Sequence, residues 1–259
     1  GEGDLWFATN NGISLYEHRT KQWHSFLSVF NTDHKNQSHT FISLCEISPG
    51  IIWAGGYFSG IYQIDKRTSK TTYFTPALYA REDIRPDKYI RDIRKDSHGY
   101  IWTGGYYNLK RINVQTKDIR LYHGLHSVTA IIEKDDKSMW IGTATGLFLL
   151  DIESGKYERI QLPVESTYVY SLYQTKQGSL YIGTSGSGVL IYDPQTKLFT
   201  HYYTGNGAMI SNNIYTILSD EDNEILLSTE NGLTSFYPKQ KTFYNWTKEM
   251  GLMTTHFNA

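Results

Sequence analysis

The chain has 259 residues with 25 basic against 26 acidic side chains, a formal charge of −1. Both signs are interspersed, so the positive field that attracts a phosphate backbone is missing and nucleic acid is excluded as a partner. One cysteine, Cys45, allows no internal disulfide, and no stretch nears the roughly 18 apolar residues of a membrane span. Gly1-Glu2-Gly3-Asp4 does not read as a signal peptide, so the expectation is a soluble region without direct membrane insertion, any export signal having been removed or never present.

In chain order, six apolar runs each place a large residue two positions before a small one, and a turn follows. They are Leu5–Thr9, Ile52–Gly56, Ile101–Gly105, Met139–Thr143, Leu180–Thr184 and Ile225–Thr229. Their anchors, Trp6, Trp53, Trp102, Trp140, Tyr181 and Leu226, lie 47, 49, 38, 41 and 45 residues apart. A period in this range points to a propeller or solenoid. Copy five shows the unit in order: Val169–Tyr173, a polar turn at Gln177-Gly178, Leu180–Thr184, a glycine turn, Val189–Tyr192, a turn at Asp193–Thr196, then Phe199–Tyr202. Short runs rich in β-branched and aromatic residues, punctuated by Gly, Asn, Asp and Pro, are antiparallel strands, and four per repeat make a propeller blade. No segment sustains helical periodicity.

The expected fold is therefore all-β, a β-propeller of four-stranded antiparallel blades with six repeats visible, filling 1–259 as a single domain. It closes at six blades if the segment Thr254–Ala259 supplies the first strand that the opening copy lacks, and it belongs to a seven-bladed ring if the chain is a piece of a longer array. The small residue after each anchor (Ala8, Gly55, Gly104, Gly142, Gly183, Ser228) should face a neighbouring blade too closely for a larger side chain. The turn after it should need positive φ, from Gly12, Gly60, Gly146, Gly188 and Gly232, and from Asn108 in copy three.

The unit of Asp-x-x-Gly turn, Leu-Trp-Ile-Gly-Thr, Gly-Leu-x-x-Tyr-Asp and Phe-x-x-Tyr resembles the two-component regulator propeller repeat. Met139–Asp151 match it almost throughout, all six copies match in outline, and Gly251-Leu252 with Phe257-Asn258 resembles the linker before a late blade. The resemblance implies the periplasmic sensor region of a hybrid two-component histidine kinase. Such a protein has paired propellers, usually of seven blades, an immunoglobulin-like domain, an inner-membrane anchor and a separate cytoplasmic kinase, and it detects glycan breakdown products. This chain would be a non-enzymatic fragment of one, with a small glycan as ligand, the adjoining propeller and immunoglobulin-like domain as partners, and a homodimer as a further option.

Recognition should sit on the loops joining second to third strands and linking one blade to the next, which gather on one face. Two neighbouring copies carry aromatic pairs there, Tyr57-Phe58 and Tyr106-Tyr107, where other copies have small polar residues. Aromatic faces with hydroxyl edges suit a sugar ring. The candidate ligand-binding residues are thus Tyr57, Phe58, Tyr106 and Tyr107 for stacking, Asn108, Glu230 and Asn231 for hydrogen bonding, and Arg81 or Arg91 for an acidic group. Arg81 and Arg91 lie in the most charged linker, which also holds Tyr79, Asp83, Arg85, Lys88 and Tyr89; the polar tract Ser28–His39 reads as an excursion. No catalytic residue, metal site or cofactor is expected. Glycoside hydrolysis needs two carboxyls roughly 5–9.5 Å apart, whereas the acids here are scattered in turns, and His34/His39 and His123/His126 lack a partner at ligand spacing. Two alternatives stay open: a scaffold propeller for domain or dimer contacts, and a polysaccharide lyase or glycosidase.

Overall fold

The computed structural model describes residues 3–28, 39–74, 88–220 and 224–254. They form six antiparallel sheets in sequence order. The first holds β1 (Leu5–Thr9), β2 (Gly12–Glu17) and β3 (Gln22–Phe26). The second holds β4 (Phe41–Ser48), β5 (Ile51–Gly56), β6 (Gly60–Asp65) and β7 (Lys70–Tyr73). The third holds β8 (Ile90–Lys95), β9 (Ile101–Gly105), β10 (Leu109–Ile112) and β11 (Ile119–Tyr122); the fourth holds β12 (Val128–Asp135), β13 (Ser138–Thr143), β14 (Gly146–Asp151) and β15 (Tyr157–Ile160). The fifth holds β16 (Val169–Gln174), β17 (Leu180–Thr184), β18 (Val189–Asp193) and β19 (Leu198–Tyr202), and the last holds β20 (Ile214–Ser219), β21 (Ile225–Thr229), β22 (Gly232–Tyr237) and β23 (Thr242–Trp246). These are the blades of a β-propeller. Five have the expected four strands, and the first has three among the described residues. The residues 255–259, proposed from sequence to complete it, lie outside the described residues, as do Arg81, most of its charged linker and most of the Ser28–His39 tract.

The chain divides into two compact units, 1–131 and 132–259. In each, burial follows strand position. Second strands such as β9 and β17 are buried along their whole length, while fourth strands such as β7 and β15 are mostly exposed. The anchors account for this. Trp53 and Trp102 in the first unit and Trp140 in the second are fully buried, and a buried indole needs a partner for its N–H. Each finds a different one: Gln63 at 3.1 Å, Asp96 at 2.9 Å and Gln174 at 2.9 Å. The expected crowding is present at three of the six small residues, Gly55, Gly104 and Gly183. A Cβ on Gly55 would stand 2.6 Å from Ile90 Cγ2, and one on Gly183 would stand 2.7 Å from the Ile214 carbonyl. Gly104 meets Val128 in the same way. Each of the three thus meets the first strand of the next blade, and Gly183 also meets Ser171 Oγ on the first strand of its own.

Turn chemistry departs from expectation in two places. The five glycines do adopt positive φ, but Asn108 does not. The hairpin of copy three opens early: its last paired residues are Thr103 and Lys110, whereas copy four stays paired out to Thr143 and Gly146. A wider loop reverses the chain without a left-handed residue. The non-glycine residue that does take that conformation is Phe58, at φ 64°. Copies two and five pair their anchors with residues ten positions on, Trp53 with Gln63 and Tyr181 with Ile191, against nine in the other four copies. The extra residue is left-handed in both, Phe58 in one and Gly186 at φ 84° in the other. The third-to-fourth strand turns also share a left-handed position. Lysine occupies it four times (Lys21, Lys117, Lys197, Lys241), with Ser69 and Gly155 in the other two copies. Asp65, Asn113, Asp151 and Asp193 brace these turns by accepting backbone N–H groups two or three residues on.

The third blade is tied by one buried carboxylate. Asp96, with its side chain fully buried, accepts hydrogen bonds from Trp102 Nε1 (2.9 Å), from the Arg111 guanidinium (3.2 Å for Nη2) and from the backbone N–H groups of Tyr100 (2.8 Å) and His98 (3.1 Å). Arg111 in turn covers the Tyr100 ring at 3.7 Å. Replacing Asp96 by Ala leaves a cation and an indole N–H without their acceptor and is expected to cost about 3–5 kcal/mol, with Asp96→Asn milder, measured by urea unfolding. The opposite sign is expected at Phe58. Phe58→Gly relieves about 1–2 kcal/mol of left-handed strain against the entropy that glycine adds to the unfolded chain, for a net gain of up to about 1 kcal/mol in the same assay.

Candidate functional site

In the first unit, the β5–β6 turn is held by backbone bonds to its surroundings, with Tyr57 N–H donating to the Thr40 carbonyl (2.8 Å) and Gly60 N–H to the Lys88 carbonyl (3.0 Å). The next such loop is tied to the same entering segment. Tyr106 N–H donates to the Tyr89 carbonyl (3.3 Å), Ser127 N–H to the Tyr106 carbonyl (3.0 Å), and the His126 ring bonds the Tyr107 carbonyl. Tyr89 is therefore the bridge between the two loops, and it was not among the sequence candidates for the site. Its ring packs edge-on against Tyr57 at 4.7 Å and lies 6.1 Å from Phe58, while Tyr57 and Phe58 meet at 4.5 Å and Tyr106 and Tyr107 at 5.0 Å.

These rings remain open to solvent despite their mutual packing: Tyr57 is 42% exposed, Phe58 59%, Tyr106 57% and Tyr107 39%. Arg91 joins the group by donating from Nη1 to the Tyr89 hydroxyl (3.0 Å). No carboxylate pairs with Arg91 among the described residues, so its charge is available to an anionic group. Asn108 sits half-buried at the end of the second loop. The structure thus brings Tyr57, Phe58, Tyr89 and Arg91 into one cluster, with Tyr106 and Tyr107 joined to it through the Tyr89 backbone.

A shared backbone feature explains where Arg91 points. In β4, β8, β16 and β20 the pairing with the second strand skips one residue near the start, between Phe41 and Ser43, Ile90 and Asp92, Val169 and Ser171, and Ile214 and Thr216. The skipped residues are Ile42, Arg91, Tyr170 and Tyr215. A bulge re-aims the side chain it carries, and each lies at the strand end that pairs beside the second-to-third strand loop. Aligning the repeats on the buried residues Phe41, Ile90, Val169 and Ile214 would have singled out this variable position.

Glu230 and Asn231 belong to the second unit. Both oxygens of the Glu230 carboxylate accept hydrogen bonds, Oε1 from Ser211 (2.9 Å) and Oε2 from Asn213 (3.0 Å). Asn231 donates from Nδ2 to the Ile210 carbonyl (3.3 Å). These residues fasten the β21–β22 turn to the segment entering β20. Beside them stand two half-buried tyrosines absent from the sequence candidates: Tyr170 and Tyr215 meet at 5.1 Å, and Tyr168 lies 4.7 Å from Tyr170. Burial, and then the Glu230 charge, push the Tyr215 hydroxyl above its usual range.

A cavity of about 650 Å³ lies at the far end of β5, lined by Trp6, Leu44, Cys45, Lys66 and Lys95 among others. Its ionic groups are engaged. Lys66 binds Asp4 (2.6 Å) and Glu17 (3.1 Å), Lys95 donates to the Ile47 carbonyl (2.8 Å), and the Lys66 ammonium together with the His18 N–H holds the Asp4 carboxyl below its usual range. Burial raises the Cys45 thiol, which keeps it protonated and unreactive. The full length of β5, about 17 Å, separates this cavity from the aromatic turn.

Residues 163–186, from the link before β16 through the β17 turn, match the two-component regulator propeller family. Histidine kinase P4 of Formosa agariphila is 26% identical over 275 aligned residues, which cover 98% of this chain and 20% of the relative. Among solved structures, the extracellular domain of a protein assigned as a hybrid two-component system of B. thetaiotaomicron superposes with a TM-score of 0.80 at 19% identity, covering 98% of this chain and 35% of that one. A second such domain from B. thetaiotaomicron gives 0.72 at 23% identity over 90% and 30% of the two chains. A catalytically inactive virginiamycin B lyase from Staphylococcus aureus, bound to quinupristin, gives 0.76 at 14% identity over 100% and 84%. The chain spans a fifth of the curated relative and about a third of each B. thetaiotaomicron chain. It carries a two-component regulator propeller repeat and has the β-propeller fold of the extracellular domains of hybrid two-component systems.

Proposed function

We propose that this chain is the extracytoplasmic ligand-sensing propeller of a hybrid two-component signalling protein, and that it takes an oligosaccharide or glycan fragment on the aromatic loops of its first unit. The observation that carries this reading is Phe58, a large, exposed side chain held left-handed where the matching turn of copy five uses Gly186. Backbone strain of this kind persists where function retains it. Around it, Tyr57, Tyr89 and Tyr106 offer ring faces and hydroxyls to a sugar, and Arg91 offers a cation to a carboxylate or sulfate. In the parent protein the bound glycan would act by favouring one arrangement of the propeller against an adjoining propeller, an immunoglobulin-like domain or a second copy, because a ligand shifts only an equilibrium whose states it binds differently. The kinase, the membrane anchor and the periplasmic location belong to this proposal. No enzymatic step is assigned.

Calorimetric titration with neutral and acidic oligosaccharides tests the reading. Saturable heat with at least one glycan is expected, and Tyr57→Ala/Tyr106→Ala should weaken it at least tenfold, about 1.4 kcal/mol. Arg91→Gln should weaken acidic glycans selectively. Binding that survives the double variant would move the site, and release of cleaved product would favour the lyase alternative that the virginiamycin B lyase likeness keeps in view.

A further inference from the structure

The second unit holds a cluster whose charge is opposite to that of the aromatic loops of the first. Tyr170 and Tyr215 are the bulge residues of β16 and β20, so the backbone itself turns both rings to the same strand end as the β17–β18 and β21–β22 turns. With Tyr168 they form a chain of three rings at 4.7 and 5.1 Å, all half-buried. The Glu230 carboxylate joins this group through Asn213, which grips Oε2 two residues ahead of Tyr215.

The support is rigid. The Asn212 carbonyl accepts the N–H groups of Gly186 (3.1 Å) and Gly188 (2.8 Å), and Asn212 Oδ1 accepts Thr204 N–H (2.8 Å). The segment carrying Ser211 and Asn213 is thereby bound to the β17–β18 turn, and the carboxylate is oriented before any ligand arrives. Its two partners are neutral, each oxygen keeps an unused lone-pair direction, and no lysine, arginine or histidine pairs with Glu230 among the described residues. An oriented carboxylate without a cation, beside π faces, is complementary to an ammonium group. The rings attract the cation through their quadrupoles and the carboxylate accepts a charge-assisted hydrogen bond. The same charge disfavours a carboxylated or sulfated ligand, so the arrangement selects by repulsion as well as by attraction.

We propose that Tyr168, Tyr170, Tyr215 and Glu230 form a subsite for an ammonium-bearing ligand, an amino sugar being the chemistry that also uses the hydroxyl edges of the rings. The subsite is independent of the glycan reading for the first unit, and either can fail without the other.

The experiment titrates the full chain with the β1,4-linked glucosamine disaccharide and, separately, with its N-acetylated counterpart, which has the same rings and no charge. Support is saturable binding of the amine form at least tenfold tighter than the acetylated form, loss of that preference in Glu230→Gln, and retention of it in Tyr57→Ala/Tyr106→Ala. Because Glu230→Gln also alters the link to Ser211 and Asn213, Tyr170→Leu serves as a second variant. It leaves that link intact and should weaken the amine form severalfold, with the thermal unfolding of both variants recorded alongside. Equal binding of the two disaccharides, no saturation with the amine form, or a preference that survives in Glu230→Gln and Tyr170→Leu would overturn the proposal.

Discussion

Everything that positions the candidate sites depends on how closely a second strand approaches the first strand of the next blade. At Gly55 and Gly104 there is no room for a Cβ because Ile90 and Val128 fill the space, and at Gly183 because Ser171 of its own blade and Ile214 of the next do. A residue as large as Leu there would cost about 1–3 kcal/mol even where neighbours could adjust. The tight approach lets first strands bond across blades. The Ser43 hydroxyl accepts Ile93 N–H at 2.9 Å, and the Asp92 carboxylate accepts Ile131 N–H at 2.8 Å. Ser43 and Asp92 follow directly on the bulge residues Ile42 and Arg91. The contact that packs blade on blade therefore also fixes the strand end from which Arg91 is presented, and the small residue and the candidate binding residue are two ends of a single constraint.

On that frame the blades differ where packing leaves freedom. Copies two and five make the same longer turn with the same left-handed residue, so backbone geometry does not distinguish them. Side chains do. Gly186 makes the turn without strain, while Phe58 makes it with a bulky ring open to water. A fold indifferent to the choice would settle on glycine or asparagine. Lysines at the left-handed position of the third-to-fourth strand turns show that this scaffold tolerates such strain, but a lysine there trails into solvent, and Phe58 is set among Tyr57 and Tyr89.

The repeat, the anchors, the tight small positions and five of the six turn residues were legible because each is a residue type demanded by geometry at a fixed spacing. The aromatic loops were legible as departures from that pattern. Asn108 can adopt positive φ but has no need to, because the third hairpin opens two pairs sooner than the fourth. The bulges were not legible, since a bulge here leaves no compositional mark: Ile42, Arg91, Tyr170 and Tyr215 share a backbone position and nothing else. For that reason Tyr170 and Tyr215 escaped notice, although Arg91, the same position in another blade, was found through its charge. Glu230 and Asn231 were placed correctly at a loop, but hydrogen-bonding capacity read from sequence does not say whether a neighbour such as Ser211 or Ile210 has already used it.

The two units also differ in the charge beside their bulge residues, Arg91 itself in the first and the turn residue Glu230 near Tyr215 in the second. Among the described residues, Arg91 stands beside aromatic rings with no carboxylate paired to it, and Glu230 stands near aromatic rings with no cation paired to it. If both clusters bind sugars as proposed, stacking would supply affinity at both, since ring faces accept a sugar of any charge. On the two proposals made above, the charge would then decide which substituent on that sugar is welcome, a carboxylate or sulfate in the first unit and an ammonium in the second. Arg91 and Glu230 both stand at the strand ends beside the second-to-third strand turns and outside the buried core, so on these proposals an exchange at either would alter the charge offered to a ligand without repacking a blade. The B. thetaiotaomicron domains, which superpose at TM-scores of 0.80 and 0.72 with identities of 19% and 23%, show that the fold itself is kept with little shared sequence.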